Sequence, residues 1–230
     1  MSNTNRSLGS VHNTVSSLLF TSTGKTLLST GKGEMIRVIK YPVSTSKTNV
    51  TSLKPTGEEV LSMDCNLSMQ KPLILTSGTK GQLCVYSLGS NNAPLIDVQL
   101  PAPPGKNENR DVRSAKFFFI DKFITYTLQN QFHLSKYVVN SPDEEWAAVP
   151  RRSMLGEPTF TYTFESAQHI SAMNVVNQIT SSLILLAGTN KELQVVDVIS
   201  GSSLWRCEEA HSRAIHHVEV NSAGRFCLLR

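Results

Sequence analysis

The run Ser22-Thr23-Gly24-Lys25-Thr26 ends in the Gly-Lys-Thr of a phosphate-binding loop. Such a loop wraps phosphate with backbone amides and needs a further glycine five residues earlier, at the entry to a helix. Leu19 stands there, inside an apolar stretch, and a second strand-like segment follows; the run is predicted to be a hairpin turn. His211, His216 and His217 would suit a metal if a helix put them on one face. Their segment reads as extended, and neighbours in a strand point to opposite sides. Glu208, Glu209 and Glu219 lie nearby but complete no ligand motif. The pairs Glu58-Glu59 and Glu144-Glu145 do not, by adjacency alone, aim two carboxylates at one substrate. No Gly-x-Ser-x-Gly elbow is present. Cys65, Cys84, Cys207 and Cys227 lie far from one another, without the close spacing of a zinc site. Each falls in an apolar run and is expected to pack as a small buried hydrophobe. Trp146 and Trp205 read as packing residues. The expectation is a chain with no catalytic, cofactor-binding or metal-binding residue, no cofactor and no enzymatic activity.

The elements around these residues are those of a β protein. Charged residues make up 17% of the 230, below the usual ~25%, which argues against helical arrays. The 28 serines and 19 threonines favour strands and turns. Apolar residues at 40%, with 13 glycines, are enough to bury a core. The net charge of +4 is scattered, and its densest spot, Arg151-Arg152, sits beside Asp143, Glu144 and Glu145. Nucleic-acid binding wants a basic stripe with stacking aromatics, so no such partner is expected. Residues 1–10 are polar and lack a signal-peptide core. No 18-residue apolar stretch exists to span a membrane. A soluble, cytoplasmic chain without a membrane partner is expected, which makes the sequons at Asn5, Asn49 and Asn66 chance matches.

A repeat organises the strands. Leu27-Leu28-Ser29-Thr30-Gly31, Leu75-Thr76-Ser77-Gly78 and Leu185-Leu186-Ala187-Gly188 are apolar segments closing on a small residue and a glycine. An alternating segment follows each (Met35 to Ile39, Gln82 to Leu88, Glu192 to Ile199), and another apolar segment precedes each (Val15 to Phe20, Val60 to Cys65, Ile170 to Val176). A degenerate copy, Ala115 to Phe119, Phe123 to Thr127 and Gln131 to Tyr137, puts Thr127 where the glycine is expected. Weaker fourth strands are read at Asn49 to Leu53, Leu95 to Leu100, Thr159 to Phe164 and Ser203 to Arg206. Four-strand modules recurring every ~40–50 residues are the pattern of β-propeller blades. Pro101 to Arg110 and Asn140 to Leu155 are expected to be exposed, mobile loops, the latter carrying a short helix within Ser141 to Val149.

Leu185 to Gly188, then Val196-Asp197, then Ala210-His211 resemble units of the WD-repeat family, which open near Gly-His and close on Trp-Asp. Val11-His12 and Ile39-Lys40 take those places in the first copy, and Tyr86-Ser87 closes the second. The resemblance implies a network from the opening histidine to a strand hydroxyl, with His12 and His211 in the first role and Ser29 or Thr30 in the second. Its tryptophan is missing from every copy. Packing, rather than polar ladders, is therefore expected to hold the units together. The fold class expected is all-β, an incomplete WD-repeat β-propeller of about four and a half four-stranded blades. The divisions are 11–55, 58–100, 111–164, 168–207 and a partial 210–230, after a disordered 1–10. The function implied is a non-catalytic scaffold for protein–protein interaction. The alternatives are a truncated fragment of a longer propeller, with the remaining blades elsewhere, or part of a propeller enzyme whose active site lies outside this chain.

Overall fold

The computed structural model describes residues 14–33, 35–40, 50–70, 72–89, 93–101, 109–140, 153–221, 223 and 225–230. The predicted helix at 141–149, His12, Trp146 and most of the loop 101–110 lie outside the described residues. Apart from a single 3-10 turn at Thr79–Gly81, the regular elements among the described residues are antiparallel β-strands. β1 (Ser17–Phe20), β2 (Thr26–Thr30), β3 (Ile36–Lys40) and β4 (Val50–Leu53) form the first sheet in chain order. The second is β5 (Val60–Cys65), β6 (Leu73–Gly78), β7 (Gln82–Ser87) and β8 (Ile96–Gln99). The third is β9 (Ala115–Phe118), β10 (Phe123–Leu128), β11 (Gln131–Val138) and β12 (Met154–Thr163). The fourth is β13 (Ile170–Val175), β14 (Leu183–Gly188), β15 (Leu193–Asp197) and β16 (Ser202–Cys207), followed by the pair β17 (Val218–Val220) and β18 (Cys227–Leu229).

Period-two alternation explains how the sheets stack. On β7, Leu83 and Val85 join a core with Phe117, Ile124 and Tyr126 of the third sheet. Cys84 and Tyr86 point the other way, into a core with Leu28, Ile36 and Val38 of the first. On β14, Ile184 and Leu186 meet Phe118 and Phe132 of the third sheet, whereas Leu185 and Ala187 meet Ile215 and Val218 beyond the fourth. Each core is thus an interface between one sheet and the next. The first strands, β1, β5, β9, β13 and β17, are neighbours across these interfaces.

Three sequence expectations change. Thr127 pairs with Phe132 as Ser77 pairs with Leu83, so Leu128, not Thr127, stands in the place of the marker glycine. The third sheet's turn is one residue shorter and reverses through Gln129 at φ 55°. At Gly78 a Cβ would sit 2.3 Å from the Glu59 carbonyl oxygen, and at Gly188 it would sit 2.4 Å from Asn190 Oδ1. Second, β12 begins at Met154, so Met154 and Leu155 belong to a strand and not to the loop. Pro158 is accommodated because β12 is an edge strand, with register shifts against Ser135. Third, Asn109 and Arg110 are half-buried, not free: the Asn109 carbonyl accepts the Gln129 amide at 3.2 Å.

Candidate interaction surface

Meander topology sorts the connections into two ends. The turns β2–β3, β6–β7, β10–β11 and β14–β15 lie at the same end as the links from each sheet to the next. Backbone bonds sew the two sets together. In the second sheet Thr79 donates to Glu59 at 3.1 Å, and the Gly81 carbonyl accepts from Leu100 at 2.8 Å. In the third, Gln129 and Asn130 accept from Ile170 (2.7 Å) and Phe164 (2.8 Å). In the fourth, Thr189 donates to His169 at 3.0 Å and Lys191 accepts from Ala210 at 3.2 Å. These loops are fixed in place at the rim. Lys80, paired with Glu58, projects from the same end.

Glu192 organises the rim of the fourth sheet. It is 1% exposed. Ser166 donates to its Oε2 at 2.5 Å, Asn190 at 2.9 Å, and Gln194 donates to its Oε1 at 2.6 Å. Arg206 Nε lies 2.6 Å from Oε1, and its guanidinium reaches on to Glu208 at 3.2 Å. Burial pushes the carboxyl upward, but these donors outweigh it and hold Glu192 below the ordinary carboxylate value. Around the cluster lies a depression of about 390 Å³ lined by Ser166, Asn190, Lys191, Arg206, Glu208 and Glu209. It offers charged groups on a preset frame.

A second set of polar contacts recurs at one register position between the third and fourth strands of the four four-stranded sheets. Arg37 faces Ser52, Cys84 faces Asp97, His133 faces Thr161 and Gln194 faces Arg206. Arg37 donates to Ser52 at 2.9 Å, and His133 Nδ1 lies 3.0 Å from the Thr161 hydroxyl. Cys84 is enclosed by Thr56, Gln82 and Asp97, and burial raises its thiol pKa. Burial lowers His133 to about 4, and its ring stacks on Tyr126 at 5.1 Å. These polar pairs supplement the packing that sequence reasoning took as the main glue. No one segment of sequence signals them, because the partners meet only through strand register.

First strands carry polar bridges between sheets. Asp64 Oδ1 lies 3.3 Å from Lys116 Nζ, and Asp64 Oδ2 accepts the Phe117 amide at 2.8 Å. Burial pushes the Asp64 carboxyl upward against the pull of Lys116, and Asp64 raises the ammonium in turn. Asn174, at the same register position, donates to the Val218 carbonyl at 2.9 Å and to Glu219 at 3.1 Å. At the opposite end, Asp121 accepts from the Leu67 amide at 2.7 Å and from Asn177 at 2.7 Å, tying loops of three sheets together.

The residues singled out from sequence do not converge on one site. Gly24 turns the β1–β2 hairpin at φ 66°. His211 Nδ1 accepts from the Arg213 amide at 3.2 Å, a local bond rather than a link to a strand hydroxyl. His216 and His217 are exposed, the latter 3.5 Å from Glu219. Among the described residues no three His, Cys, Asp or Glu side chains are grouped to hold a metal, and no helix is long and apolar enough to cross a membrane. Cys84 is buried as expected, Cys65 and Cys207 only partly, and Cys227 is exposed because β18 pairs only with β17 among the described strands. Asp197, in the closing position of its repeat, caps the β15–β16 turn: Ile199 and Ser200 amides donate to it at 3.2 and 3.0 Å. Hydrogen bonds from Ser182 and Ser200 hold its carboxyl at about 2.

No family model matches the chain. The β-propeller domain of Cps50 (Swd1) from Myceliophteria thermophila superposes with a TM-score of 0.66 at 13% identity, over 94% of this chain and 61% of that one. The chain therefore spans about three fifths of that domain's length. The shared arrangement is the fold alone: successive four-stranded antiparallel sheets, stacked face to face, of a β-propeller.

Proposed function

We propose that the chain is a non-catalytic scaffold that binds other proteins through the rim formed by the β2–β3, β6–β7, β10–β11 and β14–β15 turns and the inter-sheet links. The observation that carries the reading is the cross-bonding of the β6–β7, β10–β11 and β14–β15 turns to the inter-sheet links, with Glu192 locking the fourth sheet's rim. A pre-ordered loop loses little freedom on binding, so contact energy goes into affinity. The repeat divisions 11–55, 58–100, 111–164, 168–207 and 210–230 are read as WD-type units. The stretches Ser166-Ala167-Gln168, Val176-Asn177-Gln178, Leu186 to Asn190 and Ala210 to His216 are similar to part of WD repeat-containing protein 27. A cytoplasmic location fits this reading.

Affinity capture with mass spectrometry tests it, comparing the wild type with a Lys191→Glu, Glu208→Lys, Glu209→Lys variant. A reproducible partner set that the variant loses, with unchanged circular dichroism, supports rim binding. Identical capture by both proteins contradicts it.

A second reading, that the chain works as one part of a longer propeller, is favoured by the outer face of the first sheet. Leu18 and Phe20 are 62% and 57% exposed there, where Met63 of the second sheet is buried against its neighbour. Sequencing the native transcript past Arg230 tests this: further in-frame repeats support it, and a stop codon contradicts it.

A further inference from the structure

We propose that the end opposite the rim is a peripheral-membrane surface, where Leu67, Met69, Ile120 and Ile179 enter the headgroup layer of an anionic lipid bilayer. This is independent of the rim reading. Ile120 is the residue that points to it. The Phe119 carbonyl accepts the Lys122 amide at 3.3 Å, closing the β9–β10 turn. Phe119, Ile120 and Asp121 all have left-handed backbone there, at φ 54°, 49° and 58°. Glycine, asparagine and aspartate visit that region as single residues, and a β-branched residue in a run of three is strained. Ile120 is also 44% exposed, so burial offsets the strain only in part. Strain of this kind, at an exposed apolar side chain, is a mark of display rather than of packing.

Asp121 gathers two more such tips around Ile120. Its carboxylate accepts from the Leu67 amide and from the Asn177 side chain, each at 2.7 Å, and its own amide donates to Asn177 at 3.3 Å. The Tyr137 hydroxyl donates to its carbonyl at 2.7 Å. Asn66 closes the β5–β6 loop: its amide donates to the Leu73 carbonyl at 3.2 Å, and its Oδ1 accepts the Leu73 amide at 2.8 Å. Leu67 and Met69 on that loop are 47% and 72% exposed. In the β13–β14 link the Ser181 amide donates to the Gln178 carbonyl at 3.3 Å, which puts Ile179 at the corner, 61% exposed. The three turns belong to the second, third and fourth sheets, each with a described neighbour on both sides. Their exposure is therefore a property of the turn tips and not of an uncovered sheet. No membrane contact is expected from sequence because the tips meet only through Asp121.

Charge selects the occupant. Among the described residues of the turns at this end, the cations are Lys25, Lys122 and Arg225 and the acids are Asp121 and Asp197. Both acids are engaged by amide groups, Asp121 as above and Asp197 by Ile199 and Ser200. Protruding apolar tips beside cations suit an anionic bilayer: the apolar chains reach the acyl boundary while the cations meet lipid phosphates and carboxylates. A bilayer closes around separate tips of any outline, whereas a protein partner needs a pocket for each.

The test is cosedimentation of the 230-residue protein with phosphatidylcholine vesicles containing about 30 mol% phosphatidylserine, beside vesicles of phosphatidylcholine alone. Binding to the anionic vesicles only is expected, weakened about tenfold or more as salt rises from about 0.1 to about 0.5 M. Ile120→Asn relieves the turn, so it is expected to raise the thermal midpoint and yet lower vesicle affinity about tenfold. Ile120→Leu keeps the affinity, and Lys122→Glu lowers it with unchanged circular dichroism. Amides of residues 67–69, 120–122 and 178–180 are expected to exchange more slowly on the anionic vesicles. The rim variant Lys191→Glu binds vesicles as the wild type does, which separates this outcome from failure of the rim reading. No cosedimentation, equal binding to both vesicles, or undiminished binding by Ile120→Asn overturns the proposal. An acidic protein captured by the wild type and lost by Ile120→Asn, without vesicle binding, overturns the bilayer in favour of a protein surface.

Discussion

Single side chains in this fold act through register. His133 is held neutral between Tyr126 and Thr161, with its pKa lowered by burial from 6.5 to about 4. A group depressed in the folded state lends stability that is complete above the unfolded pKa. That stability is lost as pH falls from about 6.5 toward 4, and the shift corresponds to about 3 kcal/mol. Replacing it by glutamine, the residue at the same position of the fourth sheet, is expected to flatten the stability–pH curve in that window. Urea melts of wild type and His133→Gln between pH 7 and 4 check this; parallel curves contradict it. Glu192 makes the complementary case. Glu192→Ala leaves Arg206 and three side-chain donors without their acceptor and is expected to cost about 3 kcal/mol. Glu192→Gln restores the residue type found at Gln82 and Gln131 and is expected to cost about 1 kcal/mol. Equal losses in urea midpoint contradict the hub.

At the scale of elements, turns decide where the repeat is strict and where it drifts. Gly78 and Gly188 stand where a Cβ has no room, so Gly78→Ala is expected to destabilise by about 2 kcal/mol. The β9–β10 turn runs through Phe119, Ile120 and Asp121 at φ 54°, 49° and 58°. Left-handed backbone is unfavourable for a β-branched residue, and Ile120 is partly in solvent. Ile120→Asn is therefore expected to raise stability by about 1 kcal/mol, although it removes an apolar side chain. A lower thermal midpoint contradicts the strain. The strands were legible in sequence because alternation and the marker glycines recur at matching offsets, as in Leu75 to Gly78 and Leu185 to Gly188. Thr127 misled because a turn shorter by one residue moves the marker without altering the apolar pattern. β12 extends upstream of the alternating segment that begins at Thr159, because its edge position admits Pro158. The Glu192 cluster was not legible: Ser166, Asn190, Gln194 and Arg206 span some 40 residues and converge only when links and turns meet at the rim.

Among the described residues successive sheets bury a core between each pair, so stability is spread over four interfaces rather than one core. The links between sheets add Leu100, Val112, Phe164, Ala167 and Ile215 to those cores, which fixes in place the rim whose exposed side chains the scaffold proposal assigns to recognition. The most direct test of the scaffold account is the hydrogen-exchange footprint of the captured complex. Protection is expected at residues 79–81, 129–130, 189–192 and 208–213, with the β1–β2 and β9–β10 turns at the other end unchanged. A footprint confined to that opposite end, or turnover of a small-molecule substrate with no protein partner retained, contradicts it.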